Sequence, residues 1–397
     1  MKSYKLVTAD KDVPCDNTKK YRIKSLDVIK QDLNLVKSQL DDSFKERRFG
    51  TYWSLFDPFK NERNIVAKIG NTINVSNAWL KCCEIILHYQ LINEKNNKLL
   101  HFDNAAFPGS FIISTHHIVK TQMPTIAYEW VASSLLDANT SNVNPLEDKY
   151  GLYKNYKTNW LMSNKNNGDV LIEKNQLDFF DRIGNKVDLY TSDLGFDVSS
   201  DFNNQEYMQL PANIGQIISG LLTLKKGGSF ITKQYTIFEP TTISVMYLAA
   251  TFFDEFYICK PVTSRMANSE TYLVGKGFKG NISPAHPYIK ALLDKSTGKS
   301  KLDIPIVDAR YYPKEFLNTI IQCARELANS QIKKINDDIQ RCNDCIKSYF
   351  TGPPNKNPIV INFIKDNEFT IEEWYMKHPV LPIDDDNKLK MTNALYQ

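Results

Sequence analysis

The chain has 397 residues, 42% of them hydrophobic and 12% aromatic, enough for a sizeable buried core with appendages around one main domain. Its formal net charge of +4 excludes a histone-like polybasic binder while leaving room for a local basic stripe. No apolar run approaches the roughly 20 residues of a membrane span, and the opening residues lack the hydrophobic stretch of a signal peptide, so we expect a soluble chain outside the secretory pathway.

The first clear element is a helix with Ser25 as its N-cap, followed by Ile29, Leu33, Val36, Leu40 and Phe44 at three- and four-residue spacing. Lys30, Asp32, Lys37, Asp41 and Lys45 fill its other face. Residues 1–70 therefore read as a helical extension packed on the main domain.

From about Asn71 strand-like and helix-like runs alternate, the signature of an α/β domain with a parallel sheet and helices on both faces. Leu99 to Phe102, Thr125 to Ala132 and Val187 to Thr191 read as successive strands. A helix through Leu210, Ile214, Ile217, Ile218, Leu221 and Leu222 is expected to stop at Gly227-Gly228. Ser229 to Tyr235 follows as a strand, then a helix opened by Pro240, and then an antiparallel edge pair, Phe256 to Cys259 and Thr271 to Gly275.

The sheet pattern ends near Pro284. Residues 285–397 read as a helical extension dominated by one long helix from Pro313, with Ile332, Ile335, Ile339, Cys342 and Ile346 in 3-4 alternation and Gly352-Pro353-Pro354 closing it. That helix either folds back on the main domain or offers an interface to a partner. The tail around Asp384-Asp385-Asp386 reads as peripheral. Seven cysteines, an odd number, fit a reducing compartment, and Cys342-x-x-Cys345 lacks the two further ligands of a structural zinc site.

Two turns stand where an α/β sheet binds ligands, at the carboxyl ends of strands. Asp103-Asn104-Ala105-Ala106-Phe107-Pro108-Gly109-Ser110-Phe111 follows the first strand and opens a helix, its small residues letting backbone N–H groups approach a ligand. Asn166-Asn167-Gly168-Asp169 is the second, an Asn-Gly turn carrying an acid.

Four stretches carry a resemblance: Ser192-Asp193-Leu194-Gly195-Phe196; Asn204-Gln205-Glu206; Lys226-Gly227-Gly228-Ser229-Phe230-Ile231-Thr232-Lys233; and Lys260-Pro261-Val262-Thr263-Ser264-Arg265 running on to Glu270-Thr271-Tyr272. Together they resemble the FtsJ-like ribose 2′-O-methyltransferases, above all those acting on mRNA caps. Asn77-Ala78-Trp79-Leu80-Lys81, Trp130 to Leu135, Glu147 to Tyr153 and Asn159 to Met162 look like the members found in large DNA viruses. The likeness runs from Asn71 to Lys279.

The resemblance implies the seven-stranded, Rossmann-like S-adenosylmethionine-dependent methyltransferase sheet over residues 71–284, with Lys81, Asp193, Lys233 and Glu270 as catalytic residues. It also implies S-adenosylmethionine held by the Asp103 to Phe111 loop (Asp103, Ala105, Phe107, Pro108, Gly109, Ser110, Phe111), with Asp169 near the adenine. Its further implications are methylation of the first transcribed nucleotide of capped mRNA, work beside other viral capping and transcription proteins, and a setting in host cytoplasm or virion.

On chemical grounds a ribose hydroxyl is a feeble nucleophile that must be aligned and deprotonated as the bond forms. Within the implied set, Lys233 is the expected base, Lys81 the neighbouring cation that lowers its pKa, and Asp193 and Glu270 the orienting acids. The displacement itself needs no metal. Lys260 and Arg265 in the adjoining loop are expected to contact RNA phosphates or ribose. Two departures from the family pattern stand out: Pro108-Gly109-Ser110 replaces the usual Gly-Gly after the proline, and Val131-Ala132-Ser133 ends its strand without an acid. Ribosomal or transfer RNA as substrate, and a non-catalytic RNA-binding or structural subunit, remain alternative readings of the same sequence.

Overall fold

The computed structural model describes residues 1–8, 12–136, 148–196, 201–280 and 282–394; Glu147 of the resemblance lies outside them. Its elements in chain order are β1 Lys2–Lys5, α1 Lys24–Ser43, α2 Phe49–Trp53, α3 Glu62–Ile69, α4 Asn77–Tyr89, β2 Lys98–Asn104, α5 Ser110–Gln122 and β3 Ala127–Ser133. Then come α6 Leu152–Asn155, α7 Glu173–Ile183, β4 Val187–Ser192, α8 Gln205–Thr223, β5 Leu224–Gln234, α9 Pro240–Thr251, β6 Phe253–Lys260 and β7 Thr271–Phe278. The C-terminal helices are α10 Pro287–Ser296, α11 Lys314–Lys347, α12 Pro358–Asp366 and α13 Glu368–Lys377.

One sheet of seven strands, in the order β1-β6-β7-β5-β4-β2-β3, organises the molecule. It is mixed rather than parallel: β3, β2, β4 and β5 run parallel, while β7, β6 and β1 join antiparallel. The expected edge pair β6 and β7 is internal, because β1 covers β6 through the register Lys2↔Lys260 to Lys5↔Tyr257. The segment ahead of residue 71 is thus not helical throughout.

Helices bury apolar faces on both sides of the sheet. On one side Phe179, Ile214, Ile218 and Leu248 from α7, α8 and α9 meet Tyr190 and Phe230; on the other Trp79, Ile86, Ile112 and Val119 from α4 and α5 meet Leu189 and Ile231. At roughly 1.5–3 kcal/mol for each large apolar side chain, these two layers supply most of the stabilisation. Neither α4 nor α5 is a membrane span, and among the described residues no helix is long and apolar enough to cross one.

Three local expectations differ. The helix ladder of α1 starts from the Ile23 carbonyl, which accepts from Leu26 and Asp27, so Ser25 lies inside the first turn and caps nothing. Gly227-Gly228 does not end α8; the chain passes straight from Thr223 into β5, and the glycines absorb a bulge between Val187 and Leu189 of β4, with Gly227 at φ +81°. The tail is not peripheral: Ile383 N–H donates to the Gly70 carbonyl, Thr392 N–H to that of Tyr150, and the Asn387 carbonyl faces His116 Nε2 at 2.7 Å.

The long helix α11 folds back along α1 and α2, and Gln331 on it donates to the Ala267 carbonyl. Cys342 and Cys345 are buried with Phe49, Tyr52 and Phe363, and among the described residues no group is arranged to hold a metal ion.

Candidate active site

Strand register brings the four motif residues together. β4 and β5 align Ser192 with Thr232, which sets Asp193 beside Lys233, and β5 and β7 place Lys233 directly across from Tyr272. The Lys233 Nζ is 3.1 Å from Asp193 Oδ1 and donates to the Asp193 carbonyl at 2.9 Å. Lys81 comes from the face of α4 turned to the sheet and reaches Glu270, just ahead of β7, at 2.5 Å.

A fifth residue closes the set. The Tyr272 hydroxyl is directed at both acids, 2.8 Å from Asp193 Oδ1 and 3.0 Å from Glu270 Oε1. Lys81, Glu270, Tyr272, Asp193 and Lys233 thereby form one continuous chain of ionic and hydrogen bonds. Tyr272 stands in the motif that carries the resemblance but has no role in the sequence reading, although the two-residue alternation of a strand puts 270 and 272 on one face.

The electrostatics differ from expectation. Burial pushes the Lys233 ammonium down, but Asp193, Tyr235 and Glu270 outweigh it, and its pKa is raised. Lys81 therefore does not produce a neutral Lys233. Burial likewise opposes ionisation of Glu270, yet Lys81, Lys233 and Lys260 hold its carboxyl well below the usual range. The lysine pushed down, to about 7, is Lys260, by burial first, with Lys81 adding to the effect and Glu270 opposing it.

Lys260 was expected at an RNA-facing surface and is instead 2% exposed. Its ammonium donates to the Asn268 carbonyl at 2.9 Å, to Asn268 Oδ1 at 2.5 Å and to the Glu270 carbonyl at 2.7 Å. It staples the 260–270 loop shut from the end of β6, one residue beyond Cys259, the register partner of Tyr272. Arg265 is also committed to protein: its guanidinium stacks on Trp53 at 4.3 Å and donates to the Trp53 carbonyl and to buried Asp338.

The other half of the site lies at the carboxyl ends of β2, β3 and β4, where the chain order reverses. Asp103 and Asn104 still belong to β2, and Ser110 and Phe111 already belong to α5, so the free loop is only 105–109. Asp103 is buried beneath it, accepting from Thr191 at 2.7 Å, and burial raises its pKa well above the carboxylate range. Thr191 also contacts His101 Nε2 at 2.6 Å, and Tyr128 faces His101 Nδ1 at 2.8 Å. Since the Thr191 proton goes to Asp103, Nε2 donates and Nδ1 accepts, and burial holds this neutral imidazole down at about 3.

In the loop, Ala105 takes φ +55°, Ala106 N–H donates to the Ser133 carbonyl, and Phe107 stacks on Trp160 at 4.6 Å. Pro108 leads into Gly109, whose φ of +109° strains any other residue and whose notional Cβ would press on the Leu152 side chain. Ser110, where the family usually has a glycine, has its hydroxyl engaged by Ser76, the N-cap of α4, at 2.8 Å. Phe111 is core, 2% exposed. The Asp169 carboxylate accepts from Leu171 N–H, and Gly168 lets that turn close over Ser134, whose carbonyl would lie 2.0 Å from a Cβ. Glu129 pairs with Lys98 at the exposed start of the β2–β3 pair, away from the loop.

Residues 74–278 match the FtsJ-like methyltransferase family. A probable methyltransferase of African swine fever virus (isolate Warthog/Namibia/Wart80/1980) is 36% identical over 340 residues, 77% of each chain. A cap-specific mRNA (nucleoside-2′-O-)-methyltransferase 2 of Danio rerio is 31% identical over 282 residues, covering 68% of this chain and 36% of that relative. Among solved structures, a putative ribosomal RNA methyltransferase from Plasmodium falciparum aligns over 52% of this chain and 99% of its own, at 18% identity and a TM-score of 0.29, too low to carry weight.

Proposed function

This chain belongs to the FtsJ-like methyltransferase family, and from that premise we propose that it transfers a methyl group from S-adenosylmethionine to a ribose 2′-hydroxyl at the capped 5′ end of an mRNA. The observation that carries the reading is the unbroken Lys81-Glu270-Tyr272-Asp193-Lys233 chain beside the carboxyl ends of parallel strands. The cap as substrate is supported by the Danio rerio relative, whose name specifies it.

The residues present fit the proposed methyl donor. Ser133 Oγ, at the end of β3, is buried and has no partner among the described residues. Gly109 and Gly168, both at positive φ, shape the two turns that flank it. The backbone of residues 105–109 and the Asp169 turn would hold the group, and Ser133 would answer one of its polar atoms in place of the acid absent from that strand end. When bound, it supplies an electrophilic methyl on a cationic sulfur.

The chain's own residues do the rest. Lys81, paired with Glu270, keeps positive charge close to the reacting oxygen, which favours the alkoxide character that develops there. Lys233 holds the 2′-oxygen and, in its neutral form, takes the proton. Because its pKa is raised, that form is a minority near neutral pH, and the rate is set in part by how much of it exists. Asp193, Glu270 and Tyr272 fix the geometry of the two lysines, which is where near-attack alignment is gained or lost.

The test is transfer of labelled methyl to RNAs with an N7-methylated guanine cap, an unmethylated cap or a bare 5′ end, followed by mapping of the modified ribose. Label on the 2′-oxygen of capped RNA, lost in Lys233→Ala, supports the proposal. Absence of transfer to every RNA together with absence of cofactor binding overturns it.

A further inference from the structure

The tail beyond α13 has no helix longer than one 3₁₀ turn at Asp385–Asn387, yet its backbone is bonded at intervals to residues far away in sequence. Past that turn, Lys390 N–H donates to the Tyr156 hydroxyl at 2.8 Å, and the Lys390 carbonyl accepts from Asn155 Nδ2 at 3.1 Å. Thr392 N–H donates to the Tyr150 carbonyl at 2.9 Å. Buried Asn74 clasps two tail residues at once, its Nδ2 donating to the Thr392 carbonyl at 2.9 Å and its Oδ1 accepting from Ala394 N–H at 3.1 Å. The bonded residues 390, 392 and 394 alternate, as they do along an extended chain. Leu389, Met391 and Ala394 pack on the apolar cluster that holds Tyr150 and Leu152. Ordering an extended segment costs conformational entropy, and these contacts offset it at specific points.

What the tail grips is the wall of the donor loop. Helix α6 has four residues, too few to sustain a helix by itself. The Asp148 carboxylate ties its start by accepting from Tyr153 and Lys154 N–H, each at 2.9 Å, while the tail holds both flanks through Tyr150 on one side and Asn155 and Tyr156 on the other. From α6, Leu152 fills the space against Gly109, and Tyr153 meets the Phe107 ring edge-on at 6.2 Å. The other grip, Asn74, stands two residues ahead of Ser76, which bonds Ser110 at the far end of the same loop. One stretch of tail thus reaches both borders of residues 105–110.

We propose that residues 388–394 are a positioning strap for the donor loop: they hold α6 and the approach to α4 in register, and so set the shape in which residues 105–109 meet the methyl donor. The assignment rests on the activity proposed above for the identity of that donor. It touches none of the five residues of the charged chain, so its effect falls on donor affinity and leaves the transfer step itself alone.

The experiment uses full-length variants. Asn155→Ala/Tyr156→Phe removes both bonds to Lys390 while keeping the Tyr156 ring, and Asn74→Gly removes both bonds to Thr392 and Ala394 while accepting the φ of +61° found there. Gln122→Ala cuts a tail bond that does not reach α6, to the Pro379 carbonyl, and is the control. Three quantities are read: hydrogen exchange of the 105–113 amides in the free protein, calorimetric Kd for S-adenosylhomocysteine, and kcat and KM on RNA with an N7-methylated guanine cap. Both strap variants are expected to speed exchange and to weaken the cofactor product by at least about fivefold. Their kcat at saturating donor and their KM for RNA should change by less than about twofold, and Gln122→Ala should match wild type throughout. A strap that only stabilised the fold would instead lower kcat together with affinity or leave both unchanged. Wild-type exchange in both strap variants overturns the proposal, as does faster exchange with unaltered cofactor affinity. If wild type itself binds no S-adenosylhomocysteine, the proposed activity falls, and the exchange rates alone decide whether the strap shapes the loop.

Discussion

Lys81 and Glu84 stand one helical turn apart on α4 and fasten opposite ends of the same loop. Lys81 pairs with Glu270 at one end; at the other, the buried Glu84 carboxylate accepts from Val262 N–H at 2.8 Å, Thr263 N–H at 3.1 Å and Thr263 Oγ1 at 2.7 Å. The loop that carries Glu270 is therefore positioned by the same helix that supplies its partner.

Glu84→Ala leaves two backbone donors buried without acceptors. We expect a loss of about 2–4 kcal/mol in urea unfolding, together with a fall in kcat as Glu270 drifts. Unchanged stability would show that Glu84 does not hold the loop.

Tyr272→Phe removes one hydroxyl and little volume. Because that hydroxyl joins Asp193 to Glu270, kcat is expected to fall about tenfold or more while the melting temperature moves little. Full activity in the variant would mean that the two lysine–acid pairs work independently.

For the base, the sign follows from the direction of the shift. The reactive form of Lys233 is the neutral one and its pKa is raised, so below that pKa each unit of pH adds about tenfold to the active fraction. Single-turnover rates should climb from about pH 6 through 9 without levelling near neutrality, and Lys233→Arg, permanently charged, should be inert. A flat single-turnover profile would remove Lys233 from the role of base.

Gly168→Ala sets a methyl 2.0 Å from the Ser134 carbonyl and forces a side chain into φ +79°. The strain, about 1–3 kcal/mol, is released by moving the turn off the end of β3. Binding of S-adenosylhomocysteine measured by calorimetry should weaken at least tenfold, and retention of wild-type affinity would place the cofactor elsewhere.

What the sequence disclosed was whatever is written in local pattern. The alternation of runs located β2 to β7 and the long α11, and the family resemblance singled out the two lysines and two acids that strand register then draws together. What it withheld depends on distant partners. β1 is a four-residue stretch, Lys-Ser-Tyr-Lys, whose strand character comes from pairing with β6 and not from any alternation of its own. Lys260 looks like an exposed loop cation until the fold shows Asn268 and the Glu270 carbonyl closing around it. The pKa order of the lysines was likewise inverted, since it follows from which acid each one meets in space.

The edge strand has a consequence for how the protein matures. Lys2 finds its register partner only at Lys260, so β1 leaves the ribosome long before the strand it must join exists. Closing so long a stretch of chain is slow and entropically costly, and until it happens β6, with Lys260 at its end, has an open flank. Acquisition of activity should then lag behind acquisition of helical structure during refolding, because the last strand to dock borders the strand that ends at the site.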